Sequence, residues 1–188
     1  VFFLFINNFA NAYSSDPKQF ITEIVAEAKK ILVASNTKEV KEQKLSEMAL
    51  KVADIKGIGF YTLGSFRKQL SEEELKEYAK LFEKYFLKSF TSRLSDYSDP
   101  KIKVVDAEVL NPKYTIVKSV LLATDKKPEV KIDWRVYTKN PDKPLIRDLI
   151  VEGLSLARTQ KEEFASVIQS NDGDVKKLFE TLKKFIDQ

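Results

Sequence analysis

The stretch VKIDWRVYTKNPDKPLIRDLIVEGLS, residues 130–155, decides the fold. Val130, Ile132, Trp134 and Val136 alternate with Lys131, Asp133, Arg135 and Tyr137. A period of two is the mark of a strand with one covered face. KNPDKP (139–144) supplies the Asn, Pro and Asp from which turns are built. LIRDLIVEGL (145–154) then returns as a second strand, and Gly153 lets the chain leave the sheet. Two strands joined by a short polar turn pair antiparallel.

The same texture continues upstream. KVVDAEVL (103–110) places Val105, Ala107 and Val109 on one face and Asp106 and Glu108 on the other. TIVKSVLLAT (115–124) is apolar and β-branched, and DKKPE (125–129) is a turn. The expectation is a meander of four antiparallel strands with one covered and one wet face.

Helical spacing flanks the meander on both sides. Asp16-Pro17 is an N-cap followed by proline at the first helical position, and Phe20, Ile21, Ile24, Val25, Ala28, Ile31 and Leu32 follow on one face. A second helix begins near Thr37 and carries Leu45, Met48, Ala49, Val52 and Ile55. DIKGIGFYTLGSFRKQL (54–70) is too apolar for a surface loop. It reads as a short helix around Ile58 to Phe66, with Gly64 permitting close packing. Ser71 and Glu74 form a capping box that opens the longest helix, whose stripe is Leu75, Tyr78, Ala79, Phe82, Tyr85, Phe86, Phe90, Leu94 and Tyr97. Beyond the meander, a helix from Thr159 to Ser170 and an amphipathic one from Val175 to Ile186 close the chain. Helices, then strands, then helices within 188 residues make one α+β domain.

Composition narrows the chemistry. The chain contains neither Cys nor His, which excludes thiol nucleophiles, Ser-His-Asp triads and metal sites built on those ligands. Net charge is +4 with the two signs interspersed. Nucleic-acid binders show a basic stripe with exposed aromatics, and none is present, so no nucleic acid is expected as a partner. The mild positive balance suits transient contact with an anionic membrane surface. Thirteen Phe against one Trp favour a large apolar interior.

VFFLFINNFANAYSS (1–15) reads as the tail of a secretory signal peptide. Phe2 to Ile6 end its apolar region, and Ala10-Asn11-Ala12 gives the small-x-small cleavage pattern. Residues 1–12 are thus expected to be removed, leaving a single domain over 13–188. No other stretch approaches the run of about 18 apolar residues that a membrane span needs.

Asp148 and Glu152 stand out within an apolar strand. On an extended strand, four residues separate their Cα atoms by roughly 13 Å, whereas carboxylates that cooperate in glycoside hydrolysis lie about 5–9.5 Å apart. Alternation puts both on the solvent side, and it puts Asp133 opposite Trp134. The reading is therefore of acids in structural or docking roles. The rival is a small enzyme with a buried acid inside a cavity.

Taken in order, these segments resemble the MlaC, or toluene-tolerance, family of periplasmic phospholipid-binding proteins. Asp16-Pro17 with Phe20 is similar to its D-P-x-x-F opening. Leu63-Gly64 with Phe66-Arg67 is similar to an L-G-x-x-W/Y-R/K element, departing at Ser65 and Phe66. Phe82, Tyr85, Phe86, Leu87 and Tyr97 resemble its long aromatic helix. Trp134 to Tyr137 and Asp148 to Ser155 resemble a strand pair with the signature D-x-x-x-E-G-V-S, Leu154 replacing Val.

The resemblance implies a twisted four-stranded antiparallel sheet with helices packed on one face, a cystatin-like or nuclear-transport-factor-like cone enclosing an apolar pocket. It implies a monomeric, non-catalytic carrier without a cofactor, whose cargo is a phospholipid. Its implied partners are an outer-membrane lipoprotein–porin complex and an inner-membrane ABC transporter bearing an MCE-domain subunit. The implied role is maintenance of outer-membrane lipid asymmetry. Candidate pocket residues are Ile58, Leu63 and Phe66 of the glycine-flanked segment and Leu75, Phe82 and Phe86 of the long helix. On the sheet they are Val120, Ile132, Trp134, Val136, Leu149 and Val151. Alternatives are another greasy cargo such as a hopanoid, or an adaptor with a solid core.

Overall fold

The computed structural model describes residues 13–188. The signal-peptide reading of residues 1–12 lies outside the described residues. Six helices and five strands follow in the order α1 (Pro17–Val33), α2 (Lys38–Val52), α3 (Ile55–Leu63), a 3-10 turn (Gly64–Gln69), α4 (Glu72–Leu94), β1 (Ile102–Asn111), β2 (Tyr114–Leu121), β3 (Val130–Tyr137), β4 (Leu145–Val151), β5 (Leu154–Ser155), α5 (Leu156–Gln169) and α6 (Val175–Asp187). The α+β architecture is as expected, with the two-residue β5 added to the meander.

Local chemistry sets the helix boundaries. Asp16 accepts from the Gln19 N–H at 2.8 Å, with Pro17 at the first position of α1. At α4, Ser71 Oγ accepts from the Glu74 N–H at 3.2 Å and the Glu74 carboxylate accepts from the Ser71 N–H at 2.9 Å. The two halves of the capping box satisfy donors that a helix start otherwise leaves open.

The glycine-bearing segment differs from expectation. Its helix stops at Leu63 because Gly64 takes φ +61, a left-handed conformation that ends the helix. The close approach occurs instead at Gly59, where a Cβ would lie 2.7 Å from Cδ1 of Phe82. Phe82 is buried and ringed by Tyr78, Tyr85, Phe86 and Phe164, so it has little room to retreat. Gly59→Ala is expected to cost about 1–3 kcal/mol by overpacking, measured as a lower urea midpoint with an unchanged slope.

All strands pair antiparallel with their sequence neighbours in the order β1-β2-β3-β4-β5. Three register shifts interrupt the ladders, one of them between Val109 and Asn111 at the end of β1, and the other two re-aim side chains read from alternation. A bulge between Val104 and Asp106 gives Val104 and Ala107 the covered face and leaves Val105 exposed. A second shift, between Arg135 and Val136, pairs Arg135 with Asp148 and Val136 with Ile146. Arg147 is the extra residue, so Arg147 and Asp148 both lie on the face opposite Trp134 and Leu149.

The strand expected over 145–154 is broken in two. Glu152 (φ 49) and Gly153 (φ 82) form a two-residue hairpin turn between Val151 and Leu154, the double positive φ that a type I′ turn requires. The outer edge of β4 is covered at both ends. Ala53 bridges Ile146, the Asp54 N–H donates to the Ile146 carbonyl at 2.9 Å, and β5 pairs with Ile150 and Val151. Covering protects a strand edge from foreign pairing.

The buried residues fall into two clusters. One joins Phe20, Ile21, Ile24 and Leu32 of α1 and Leu45, Met48 and Val52 of α2 to Val117, Val136 and Ile146 of the sheet. The other, built from Ile55, Ile58, Leu63, Tyr78, Phe82, Phe164, Ile168, Val175, Leu178, Phe179 and Leu182, contains no strand residue. Helices α3 to α6 thus carry a core of their own.

Candidate functional site

A domain of this size ordinarily buries one contiguous core, so the split is the first feature of the site. The six helical candidates gather in the all-helical cluster: Ile58, Leu63 and Phe82 buried, with Phe66, Leu75 and Phe86 packed against them. Val136 and Trp134 belong to the sheet cluster. Ile132, Leu149 and Val151 belong to neither core and are half-buried. Register places them on one face with Trp134, through the pairs Ile132 with Val151 and Trp134 with Leu149. Val120 is the exception. It pairs with Lys131, on the opposite face, because the inward set of β2 is Thr115, Val117 and Ser119.

That face is apolar in effect. The Trp134 indole N–H donates to Ser119 Oγ at 2.9 Å, and Ser119 donates to the Ile132 carbonyl at 2.7 Å. The indole therefore needs no water. Helix α4 links the two cores: Phe82 lies in the helical one, and Leu94 packs against the sheet one. Between them Tyr85 to Phe90 are half-buried, with Phe86 and Phe90 stacked at 5.7 Å.

On the other sheet face lies a cleft of about 300 Å³, lined by Gly57, Ile58, Tyr61, Leu110, Asn111, Tyr114, Arg135, Arg147, Asp148 and Ala157. Of the candidates named from sequence, Ile58 alone lines it. The bulge in β4 builds its floor. Arg147 Nε donates to Asp54 at 2.7 Å, its NH1 donates to the Tyr114 hydroxyl at 2.8 Å, and its guanidinium lies 3.6 Å from the centre of the Tyr137 ring. Burial works against the Arg147 charge, but the bonds to Tyr114 and Asp54 outweigh it and raise its pKa above the ordinary value. Asp54 also caps α3 by accepting from the Gly57 N–H at 2.9 Å.

The acids of the opening stretch have separate structural duties. Asp148 is only 5% exposed, contrary to the solvent-side placement that strict alternation gave it. It accepts from Ser155 Oγ at 2.6 Å and the Ala157 N–H at 3.0 Å, and it pairs with Arg135 at 3.5 Å. It ties the start of α5 to β4, where a carboxylate is favoured by the helix dipole. Glu152 is exposed, and its carboxylate accepts from the Lys131 N–H, which holds the hairpin turn.

Tyr78 is equally engaged. It donates to the Gly59 carbonyl at 3.1 Å and contacts Thr62 Oγ1 at 3.1 Å, and burial raises its pKa well above the phenol range. Neither Asp148 nor Tyr78 has an idle atom aimed at a substrate. Among the described residues, no group of three or more acids stands close enough to hold a metal ion.

Sequence reading missed the Arg135–Arg147–Asp148 floor. The available signal was the adjacent pair Arg147-Asp148 inside an apolar strand, since two charged neighbours cannot both face solvent unless the strand bulges.

The fold matches that of the phospholipid-binding protein from Ralstonia solanacearum, solved in complex with a phospholipid, with a TM-score of 0.71, 21% identity, and coverage of 89% of this chain and 93% of that one. No curated protein matches this sequence. The family model described as MlaC protein matches residues 18–184, so the chain belongs to the MlaC family.

Proposed function

We propose that this protein is a phospholipid carrier of the periplasm, moving a lipid between outer-membrane and inner-membrane complexes and so maintaining outer-membrane lipid asymmetry. Membership of the MlaC family and the phospholipid held by the similarly folded Ralstonia solanacearum protein support the reading. The observation that carries it in this molecule is the half-buried apolar face of Ile132, Leu149 and Val151, which neither core claims and which continues from Trp134 at the edge of the sheet core.

The energetics explain why a carrier is needed. A diacyl lipid has about 30 methylenes, and exposing them to water costs on the order of 20 kcal/mol. Contacts that replace those of the bilayer make transfer nearly isoenergetic, and no bond need be made or broken. The cleft of about 300 Å³ lies at the lower end of ligand-pocket volumes, which run from about 300 to 1,000 Å³. The acyl chains therefore enter by parting the two cores, with the sheet face on one side and the Tyr85 to Phe90 stretch of α4 on the other. Separate cores make this opening inexpensive, because each keeps its own packing.

The partners in this reading are an outer-membrane lipoprotein–porin complex and an inner-membrane ABC transporter with an MCE-domain subunit. No helix among the described residues is long and apolar enough to cross a membrane. The test is lipid transfer between two vesicle populations, one carrying a fluorescent phospholipid with a quencher. Purified protein is expected to speed dequenching in proportion to its concentration. A rate equal to that without protein, from a folded sample, would contradict the proposal.

A further inference from the structure

The cleft on the opposite sheet face has an unusual balance of hydrogen-bonding groups. Its acceptors are engaged: Asp148 by Ser155 and Ala157, and Asn111 Oδ1 by the Lys113 N–H at 2.9 Å, while Asp54 behind the floor is taken by Arg147 and Gly57. Its donors are not. Arg135 pairs with Asp148 at 3.5 Å but makes no hydrogen bond among the described residues, and its Nε is shielded from solvent without a partner. Buried donors are almost always satisfied, so such an exception asks for an explanation. The Arg135 side chain is 32% exposed, which leaves its terminal N–H groups to the cleft. The Tyr114 hydroxyl accepts from Arg147 and keeps its own proton to give. The Asn111 amide nitrogen is also uncommitted, since only its oxygen is used.

A wall of free donors with satisfied acceptors selects an anion with several oxygens. Arginine's planar fork matches two phosphate oxygens side by side. Two guanidiniums, Arg135 and Arg147, and one carboxylate, Asp148, line the cleft, so it favours a single phosphate over a highly charged polyanion. Its rim is apolar, with Tyr61 44% and Leu110 54% exposed. A polar floor with an apolar rim fits the junction of an amphiphile.

This cleft lies on the sheet face opposite the acyl route of the carrier reading, and we propose that Arg135, Tyr114 and Asn111 form a seat there for a phosphate group, either the head-group phosphodiester of a lipid whose chains lie outside that route or a free phosphate ester. Arg147, fixed by Asp54, Tyr114 and Tyr137, adds its charge at the floor.

The test uses delipidated protein and three probes: dioleoylphosphatidylglycerol and dioleoylglycerol, each delivered from micelles of an uncharged detergent, and glycerol 3-phosphate in solution. Two variants are compared with the parent. Arg135→Gln removes the fork. Asn111→Asp puts a negative charge on the exposed hairpin, away from either core. If the anion is a head group, both variants weaken phosphatidylglycerol binding by about tenfold, the size of a charge-assisted bond, and leave dioleoylglycerol binding unchanged. If it is a free ester, glycerol 3-phosphate binds the parent, both variants abolish that binding, and phosphatidylglycerol is unaffected. Equal binding of all probes to parent and variants overturns the proposal. A parent that binds glycerol 3-phosphate through Arg135 but takes up neither lipid refutes the carrier reading and leaves the phosphate seat standing.

Discussion

Asp148→Ala is expected to lower the stability of this protein by about 3–5 kcal/mol, the cost of removing one partner from a buried ion pair. The carboxylate is 5% exposed and joins three parts of the chain. Its loss strands Arg135 on β3, the Ser155 hydroxyl at the start of α5 and the Ala157 N–H in its first turn. Of these, the Ala157 N–H is buried and adds the desolvation penalty of a donor left without a partner. Helix α5 also loses the anion at its positive end. At a few degrees per kcal/mol for a domain of this length, the melting temperature should fall by about 10 °C. Asp148→Asn should cost less, because the amide oxygen still accepts from Ala157. Guanidinium melts of both variants check the order. A loss below about 1 kcal/mol for Asp148→Ala would refute the structural role given to this residue.

Val151→Arg is expected to empty the protein of lipid while leaving it folded. Val151 is half-buried beside Ile132, and Leu149 lies next to Trp134 on the same face, outside both cores. A long side chain at such a position can turn its charged end to water and keep its methylenes on the apolar surface, so the fold should survive. The guanidinium then occupies the route of the acyl chains. An acyl chain cannot hydrate that charge, and binding should drop by at least about a hundredfold, since placing an unpaired charge against hydrocarbon costs several kcal/mol. Leu149→Arg should behave alike. The check is lipid extracted from each variant after purification, with a cooperative melt as proof of folding. A folded variant with the parent's lipid load would remove this sheet face from the binding site.

Much of the fold is legible where short-range chemistry decides it. Asp16-Pro17, Thr37 and the Ser71–Glu74 box mark helix starts to the residue, because capping is local. Alternation along 130–136 gives the covered face of β3 correctly, and Leu149 and Val151 follow through their register. What stays hidden depends on partners distant in sequence. The bulges at Val105 and Arg147 leave no mark on alternation until the neighbouring strand is in place. Apolarity alone puts Val120 on the covered face, and only its pairing with Lys131 shows it on the other. Gly64 looks like the packing glycine, but Gly59 has that role because Phe82 approaches it from α4.

The candidate site was legible in part for the same reason. Aromatic and aliphatic stripes identify apolar faces but not which faces meet. The six helical candidates prove to share one core, while the strand candidates divide between a second core, an unclaimed face and the far side of the sheet. The donor-rich cleft needed a bulge, a helix cap and a hairpin tip to converge, a coincidence that no periodicity announces.

In the proposed function, this chain carries a diacyl phospholipid between its two cores. The most direct measurement is native mass spectrometry of the purified protein, followed by lipid extraction from the same sample. A mass increment of one phospholipid is expected on most molecules, released on unfolding and identified in the extract. A protein that is folded, empty and unable to take up added phospholipid would contradict it.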